Sequence, residues 1–132
     1  MPTCCSLRVL VADDSALLRR LLAEAIGEVE GVDVVAEAAD GAAALAGVQA
    51  ARPDVVVMDL QMPVVGGLLA LRALRRSGGW PQVIMLTNHA SDVYRQACLN
   101  EGADHFFDKS DGTDSVLDVL RTLASSRVAV AA

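Results

Sequence analysis

Short runs rich in β-branched residues alternate along the chain with longer segments whose apolar positions recur every three or four residues. That alternation predicts a parallel sheet wrapped by helices, built from five strand and helix units. The first strand covers Leu7 to Ala12. A helix follows from Ser15 to Val29, with Ser15 as its N-cap and Leu18, Leu21, Leu22, Ala25 and Ile26 sharing one apolar face. Strand two, Asp33 to Glu37, leads through Asp40 and Gly41 into an alanine-rich helix from Ala42 to Ala51, which Arg52-Pro53 ends. Strand three is the run Asp54 to Met58. After a loop through Pro63 and Gly66-Gly67, a third helix places Leu68, Leu71 and Leu74 on one side and stops at Gly78-Gly79. Strand four is Gln82 to Leu86, and a helix from Ser91 to Asn100 ends at Gly102. Strand five covers Asp104 to Phe107, and a last helix from Thr113 to Ser126 buries Val116, Leu117, Leu120 and Leu123.

Near-continuous apolar strands such as Val55 to Met58 and Val83 to Leu86 fit central positions covered on both faces. Ligands of such sheets bind beyond the carboxyl ends of the strands. Those ends are polar here: strand one finishes in Asp13-Asp14, strand three in Asp59, strand four in Thr87 and strand five in Asp108-Lys109. Neighbouring strands lie about 4.8 Å apart, so adjacency of strands one and three lets Asp14 and Asp59 converge on one ion. Three crowded carboxylates repel unless a cation relieves them, and Mg²⁺ beside a phosphate suits this set better than an all-protein calcium cage. Lys109 supplies a compact charge and Thr87 a hydroxyl for phosphoryl oxygens, and Asp59 is the candidate nucleophile for a covalent aspartyl phosphate. Taken singly, Asp, Lys and Thr at strand ends are ordinary surface residues. Their assembly at matching ends is what points to a site.

Composition narrows the alternatives. A chain of 132 residues allows one domain and one core, and its 53% apolar and 21% charged residues exclude disordered and fibrous classes. A formal net charge of −6 makes direct binding of nucleic acid through its phosphates unfavourable. The apolar runs are strand-length, far below the roughly 20 residues that span a bilayer, and Met1 to Asp14 lacks a secretory layout, so no membrane partner and a cytoplasmic location are expected. Cys4, Cys5 and Cys98 read as reduced thiols, and His89 and His105 are too far apart for a local metal motif.

The order Arg8-Val9-Leu10-Val11-Ala12-Asp13-Asp14-Ser15, Met58-Asp59-Leu60-Gln61-Met62-Pro63, Leu86-Thr87, Gly102-Ala103-Asp104 and Asp108-Lys109 resembles the receiver domains of two-component response regulators. The resemblance implies a doubly wound, flavodoxin-like five-stranded parallel sheet in order 2-1-3-4-5. It implies phosphorylation of Asp59 by a histidine kinase or histidine phosphotransfer protein. Mg²⁺ would be held by Asp14, Asp59 and the backbone carbonyl of Gln61, with Asp13 acting through water. Thr87 and Lys109 would touch the phosphoryl group, and Phe106 would turn as Thr87 shifts, altering the surface of the fourth helix, fifth strand and fifth helix for an unidentified downstream protein.

Several positions depart from the family pattern. Ser110 follows Lys109 where many members have proline, Phe106 lacks the hydroxyl of a tyrosine, and Gly66-Gly67 replaces Asp-Gly. Gln61 and His89 occupy positions that in this family tune the access of water to the phosphoryl group. A phosphohydrolase of the haloacid-dehalogenase type needs a second aspartate two residues after its nucleophile at the end of strand one, where this chain has Asp13-Asp14-Ser15. A nucleotide or flavin binder needs a glycine-rich first turn, absent from Ala12 to Ser15. A receiver-like interaction module without phosphorylation is disfavoured by the complete acid, threonine and lysine set. The whole chain is expected to be a single receiver domain with its core from about residue 7 to 126, either a stand-alone receiver or the receiver part of a longer protein that carries a DNA-binding or enzymatic output domain. Homodimer formation is left open.

Overall fold

The computed structural model describes residues 6–88, 91–111 and 113–131, with residues 127–131 described by backbone alone. Five strands and five helices alternate: β1 (Leu7–Ala12), α1 (Ala16–Gly27), β2 (Val32–Ala38), α2 (Gly41–Ala51), β3 (Val55–Met58), α3 (Gly67–Arg76), β4 (Gln82–Thr87), α4 (Asp92–Asn100), β5 (His105–Asp108) and α5 (Asp114–Ala131). A 3-10 turn, Lys109–Asp111, joins β5 to α5. All strand pairs are parallel and the order is β2-β1-β3-β4-β5. This is the flavodoxin-like, doubly wound architecture. Among the described residues no helix is long and apolar enough to cross a membrane.

Strand residues alternate between two cores, one on each face of the sheet. Leu10, Ala12, Val56, Met58, Val83, Met85 and Phe106 pack toward α2, α3 and α4 with Val48, Leu71 and Cys98. Val9, Val11, Val55, Val57, Ile84 and Leu86 pack toward α1 and α5 with Ile26, Val116 and Leu120. Val9, Val56, Ile84 and Leu120 are fully buried. Each such side chain contributes about 1.5–3 kcal/mol relative to exposure. The run Val55–Val57 is apolar at every position because helices cover both its faces.

Local sequence explains where the elements start and stop. Ser15 accepts from the Leu18 amide at the start of α1, Asp40 from Ala43 at the start of α2, and Ser91 from Tyr94 at the start of α4. Arg52 takes a left-handed conformation at the end of α2, ahead of Pro53. Asp104 precedes β5 instead of opening it, because its carboxylate accepts from the Val83 amide and pairs with Arg75 of α3. No breaker stops α5 at Ser126, and the helix continues to Ala131.

The expected apolar face of α1 is only partly buried. Leu22, Ala23 and Ile26 face the sheet, but Leu18 is 43% and Leu21 53% exposed. The buried stripe at the start of α1 is narrow because Arg19, not a leucine, occupies the inward position of its first turn.

The loop between β3 and α3 returns tightly over the end of β3. The Gly67 amide donates to the Leu60 carbonyl at 2.8 Å, and a Cβ added at Gly67 would lie 2.2 Å from the Asp59 carbonyl oxygen. Val64 in the same loop is 81% exposed and has a φ of 67°, a left-handed conformation unfavourable for a β-branched residue. Urea unfolding is expected to show Gly67→Ala destabilised by about 2 kcal/mol or more, since backbone must move to admit the methyl. Val64→Gly is expected to be stabilised by about 0.5–1 kcal/mol, the strain relieved less the extra entropy of an unfolded glycine.

Candidate functional site

The sheet order makes β1 and β3 neighbours, with Ala12 opposite Met58, so the next residue of each strand, Asp13 and Asp59, emerges at the same edge. Their backbones continue the ladder: the Asp13 amide donates to the Ala38 carbonyl and the Asp59 amide to the Ala12 carbonyl, both at 3.0 Å. Both carboxylates are buried, and Asp14 beside them is exposed. Carboxylate oxygens from Asp13, Asp14 and Asp59 lie within 4.8 Å of one another.

One cation organises this edge. The Lys109 ammonium donates to Asp13 Oδ2 at 2.6 Å and to Asp59 Oδ2 at 2.9 Å. The other oxygens of the two acids accept from backbone: Asp13 Oδ1 from the Ser15 amide at 2.9 Å, and Asp59 Oδ1 from the Gln61 amide at 3.2 Å. Burial pulls the Lys109 pKa down, but its hydrogen bonds to Asp13 and Asp59 and their charges outweigh burial and hold it above the ordinary lysine value. The remaining carboxylate surface is a set of hard oxygen donors, which suits Mg²⁺ and offers nothing to a soft metal. Gln61 turns its side chain to solvent at the rim, where Asp14, Met62, Leu68 and Tyr94 line an open depression.

Thr87 is fully buried at the end of β4, paired in register with Asp108. By strand alternation it shares the sheet face of Val83 and Met85. Phe106 lies on the same face, opposite Met85, and is 3% exposed. The Arg95 guanidinium of α4 sits 5.1 Å from its ring centroid. Phe107 points toward the α1 and α5 layer and stacks on His105, so alternation leaves Phe106 alone facing α4.

The peptide joining Lys109 to Ser110 is trans, the cis bond among the described residues being Trp80-Pro81. A different fastening holds the loop: Asp108 Oδ1 accepts from both the amide and the hydroxyl of Ser110 at 2.8 Å. The amide and then the hydroxyl of Ser110 keep the Asp108 carboxyl below its usual range. His89, Cys4 and Cys5 lie outside the described residues. Cys98 is a buried free thiol on the inward face of α4, its pKa pushed up by burial.

The sequence profile of the response regulator receiver domain matches residues 9–121. The chain belongs to this receiver family. The receiver is 37% identical over 123 residues to the nitrate/nitrite response regulator protein NarP of Escherichia coli K12, an alignment covering 92% of this chain and 56% of NarP. It is 40% identical over 112 residues to a protein-glutamate methylesterase/protein-glutamine glutaminase of Haloarcula marismortui, covering 83% of this chain and 30% of that protein. The chain therefore spans about half or less of these relatives. The response regulator domain of Thermotoga maritima CheB superposes with a TM-score of 0.81 at 28% identity, covering 91% of this chain and 97% of that one. A chain of the CheX-CheY-BeF3-Mg²⁺ complex from Borrelia burgdorferi superposes with a TM-score of 0.74 at 27% identity, covering 85% and 87%.

The geometry brings together Asp13, Asp14, Asp59 and Lys109, and places Thr87 and Phe106 on the same sheet face, toward α4. Two residues that sequence reasoning passed over belong to this surrounding: Arg19, which donates to the Asp13 carbonyl, and Arg95, which covers Phe106. Neither carries a motif signal, since an arginine on a helix reads as a solvated position.

The stability that charged Lys109 provides is fully present below the ordinary lysine pKa and is lost as pH rises through its higher folded value. Lys109→Met is expected to lose about 2 kcal/mol at neutral pH, because it strands two carboxylates, and to lack that alkaline loss of stability; urea midpoints from pH 7 to 11 check both. Asp14→Asn is expected to raise stability in chelator by about 0.5–1 kcal/mol by removing one of three like charges. The same variant is expected to bind Mg²⁺ more weakly, which calorimetric titration checks.

Proposed function

We propose that the chain is a phosphoacceptor that takes a phosphoryl group onto Asp59 from a histidine kinase or histidine phosphotransfer protein. The observation that carries this reading is the shared Lys109 ammonium between buried Asp13 and Asp59, beside exposed Asp14, at the carboxyl edge of a receiver sheet. An Asp59 carboxylate oxygen attacks the phosphorus of a phosphohistidine. A phosphorus–oxygen bond forms as the phosphorus–nitrogen bond breaks, and the imidazole nitrogen leaves with the electron pair and takes up a proton. Asp14, Asp59 and the Gln61 carbonyl would hold Mg²⁺, with Asp13 acting through water, and the bound ion would supply neutralisation of charge on the phosphoryl oxygens. Lys109, already 2.9 Å from Asp59 Oδ2, donates to one of those oxygens, and the Thr87 hydroxyl serves another. That a similar structure contains BeF3 and Mg²⁺ supports the same pairing of ligands here.

The signal leaves the site through packing. Movement of Thr87 toward the phosphoryl group opens space on the α4 face, and Phe106, lacking a hydroxyl, answers by packing alone. The surface of α4, β5 and α5 then changes for a protein partner. Residues 7–126 act as one signalling unit in the cytoplasm, and the chain assists its own phosphorylation and dephosphorylation without turning over a separate substrate.

Incubation with Mg²⁺ and a small acyl-phosphate donor is expected to add one phosphoryl group by intact mass, and none in Asp59→Asn or in excess chelator. A folded, Mg²⁺-loaded protein of unchanged mass would reduce the chain to an interaction module. Steady turnover of unrelated phosphoesters would instead make it a hydrolase.

A further inference from the structure

Of the three acids at the sheet edge, Asp13 and Asp59 have their carboxylates held on both oxygens by Lys109 and by neighbouring amides. Asp14 is exposed, and its direction is set by the backbone that carries it. The peptide joining Asp13 to Asp14 is gripped at its carbonyl: Arg19 Nη1 donates to the Asp13 carbonyl oxygen at 2.8 Å. The same guanidinium donates through Nε to Glu37 Oε1 at 3.3 Å, and Arg20 holds Glu37 Oε2 at 3.0 Å. Glu37 lies in β2, next to Ala38, whose carbonyl accepts the Asp13 amide. The segment entering the site is thus tied to β2 twice, once directly and once through Arg19.

Arg19 differs from its neighbour in a way that separates tethering from solvation. Its side chain is 17% exposed against 64% for Arg20. A guanidinium presents donors in a rigid fork, and here two of them engage two acceptors from different elements, a carbonyl beyond β1 and a carboxylate of β2. An extended side chain held at two points is costly in rotamer freedom, and the product of that ordering is a fixed orientation for one peptide plane.

We propose that Arg19 is a positioning residue for the divalent-cation site: by holding the Asp13 carbonyl against β2, it aims the exposed Asp14 carboxylate at the ion shared with Asp59. Outer contacts of this kind commonly change metal affinity by an order of magnitude or more, because a ligand free to rotate must be ordered on binding. The proposal rests on Asp13, Asp14 and Asp59 being the Mg²⁺ site.

Charge and geometry predict opposite signs, which makes the test decisive. Arg19 is a cation near a cation site, so if it acted through charge alone its removal would tighten Mg²⁺ binding. As a tether, its removal weakens binding. Mg²⁺ is titrated calorimetrically into wild type, Arg19→Met and Arg19→Lys at one ionic strength, with urea unfolding of each to establish that the protein is folded. The expected result is a Kd about tenfold higher in Arg19→Met. Arg19→Lys, which keeps the charge but has one ammonium in place of a fork, falls between wild type and Arg19→Met. An Arg19→Met Kd equal to or lower than wild type overturns the proposal. If Arg19→Met fails to fold, Arg19→Lys decides alone, and an unchanged Kd there overturns it. A wild-type protein that binds no Mg²⁺ at millimolar concentration overturns the underlying site assignment instead, and is distinguished by having no affinity to compare.

Discussion

The structure turns on a single ammonium shared by two carboxylates from different strands. Asp13 and Asp59 are buried at the edge of a parallel sheet, and each turns one carboxylate oxygen to the same ammonium. Lys109 reaches both from the far end of β5, so residues separated by 96 and 50 positions meet at one atom. That contact needs β1 beside β3, the loop after Asp59 folded back close enough that only glycine fits at position 67, and a turn after β5 that presents Lys109 inward. The sheet order and the tight loop can be understood as the geometry required to bring these three charges into register.

Much of this arrangement was readable from the strand ends. Short, near-continuous apolar runs terminating in Asp13-Asp14, Asp59, Thr87 and Asp108-Lys109 locate the site once a parallel sheet is inferred, because all parallel strands present the same end to the same edge. Information that depends on which way a helix rolls was not readable. Leu18 and Leu21 match the helical spacing of Leu22 and Ile26, yet they face solvent, because inward packing at the head of α1 goes to Arg19. Side-chain roles that replace backbone roles were equally hidden. Asp104 was assigned to the last strand, but its carboxylate serves the Val83 amide and the strand begins one residue later.

The turn after β5 shows how the same end can be reached by another device. The resemblance to the family raised the question of how Lys109 is held when serine follows it in place of proline. The answer is chemical: a carboxylate two residues earlier gathers the amide and hydroxyl of Ser110, and those bonds keep Asp108 ionised to lower pH than a free aspartate. A proline's pyrrolidine ring would restrict the loop whatever the solution conditions, whereas this fastening depends on a charge and is lost as pH falls through the Asp108 pKa.

The two cores on opposite faces of the sheet have a consequence for how such a protein can change. Their side chains are separated by a layer of backbone and share no partners, so substitutions on one face are expected to add energetically to those on the other. Thr87 and Phe106 belong to the α4 face, whereas β1 and β3 direct Asp13 and Asp59 by the alternation of the α1 and α5 face. A change of side-chain volume around Met85 and Phe106 is therefore expected to leave the packing beneath α1 and α5 undisturbed. The pleat of a strand, two residues in period, becomes a partition between two separately tunable cores.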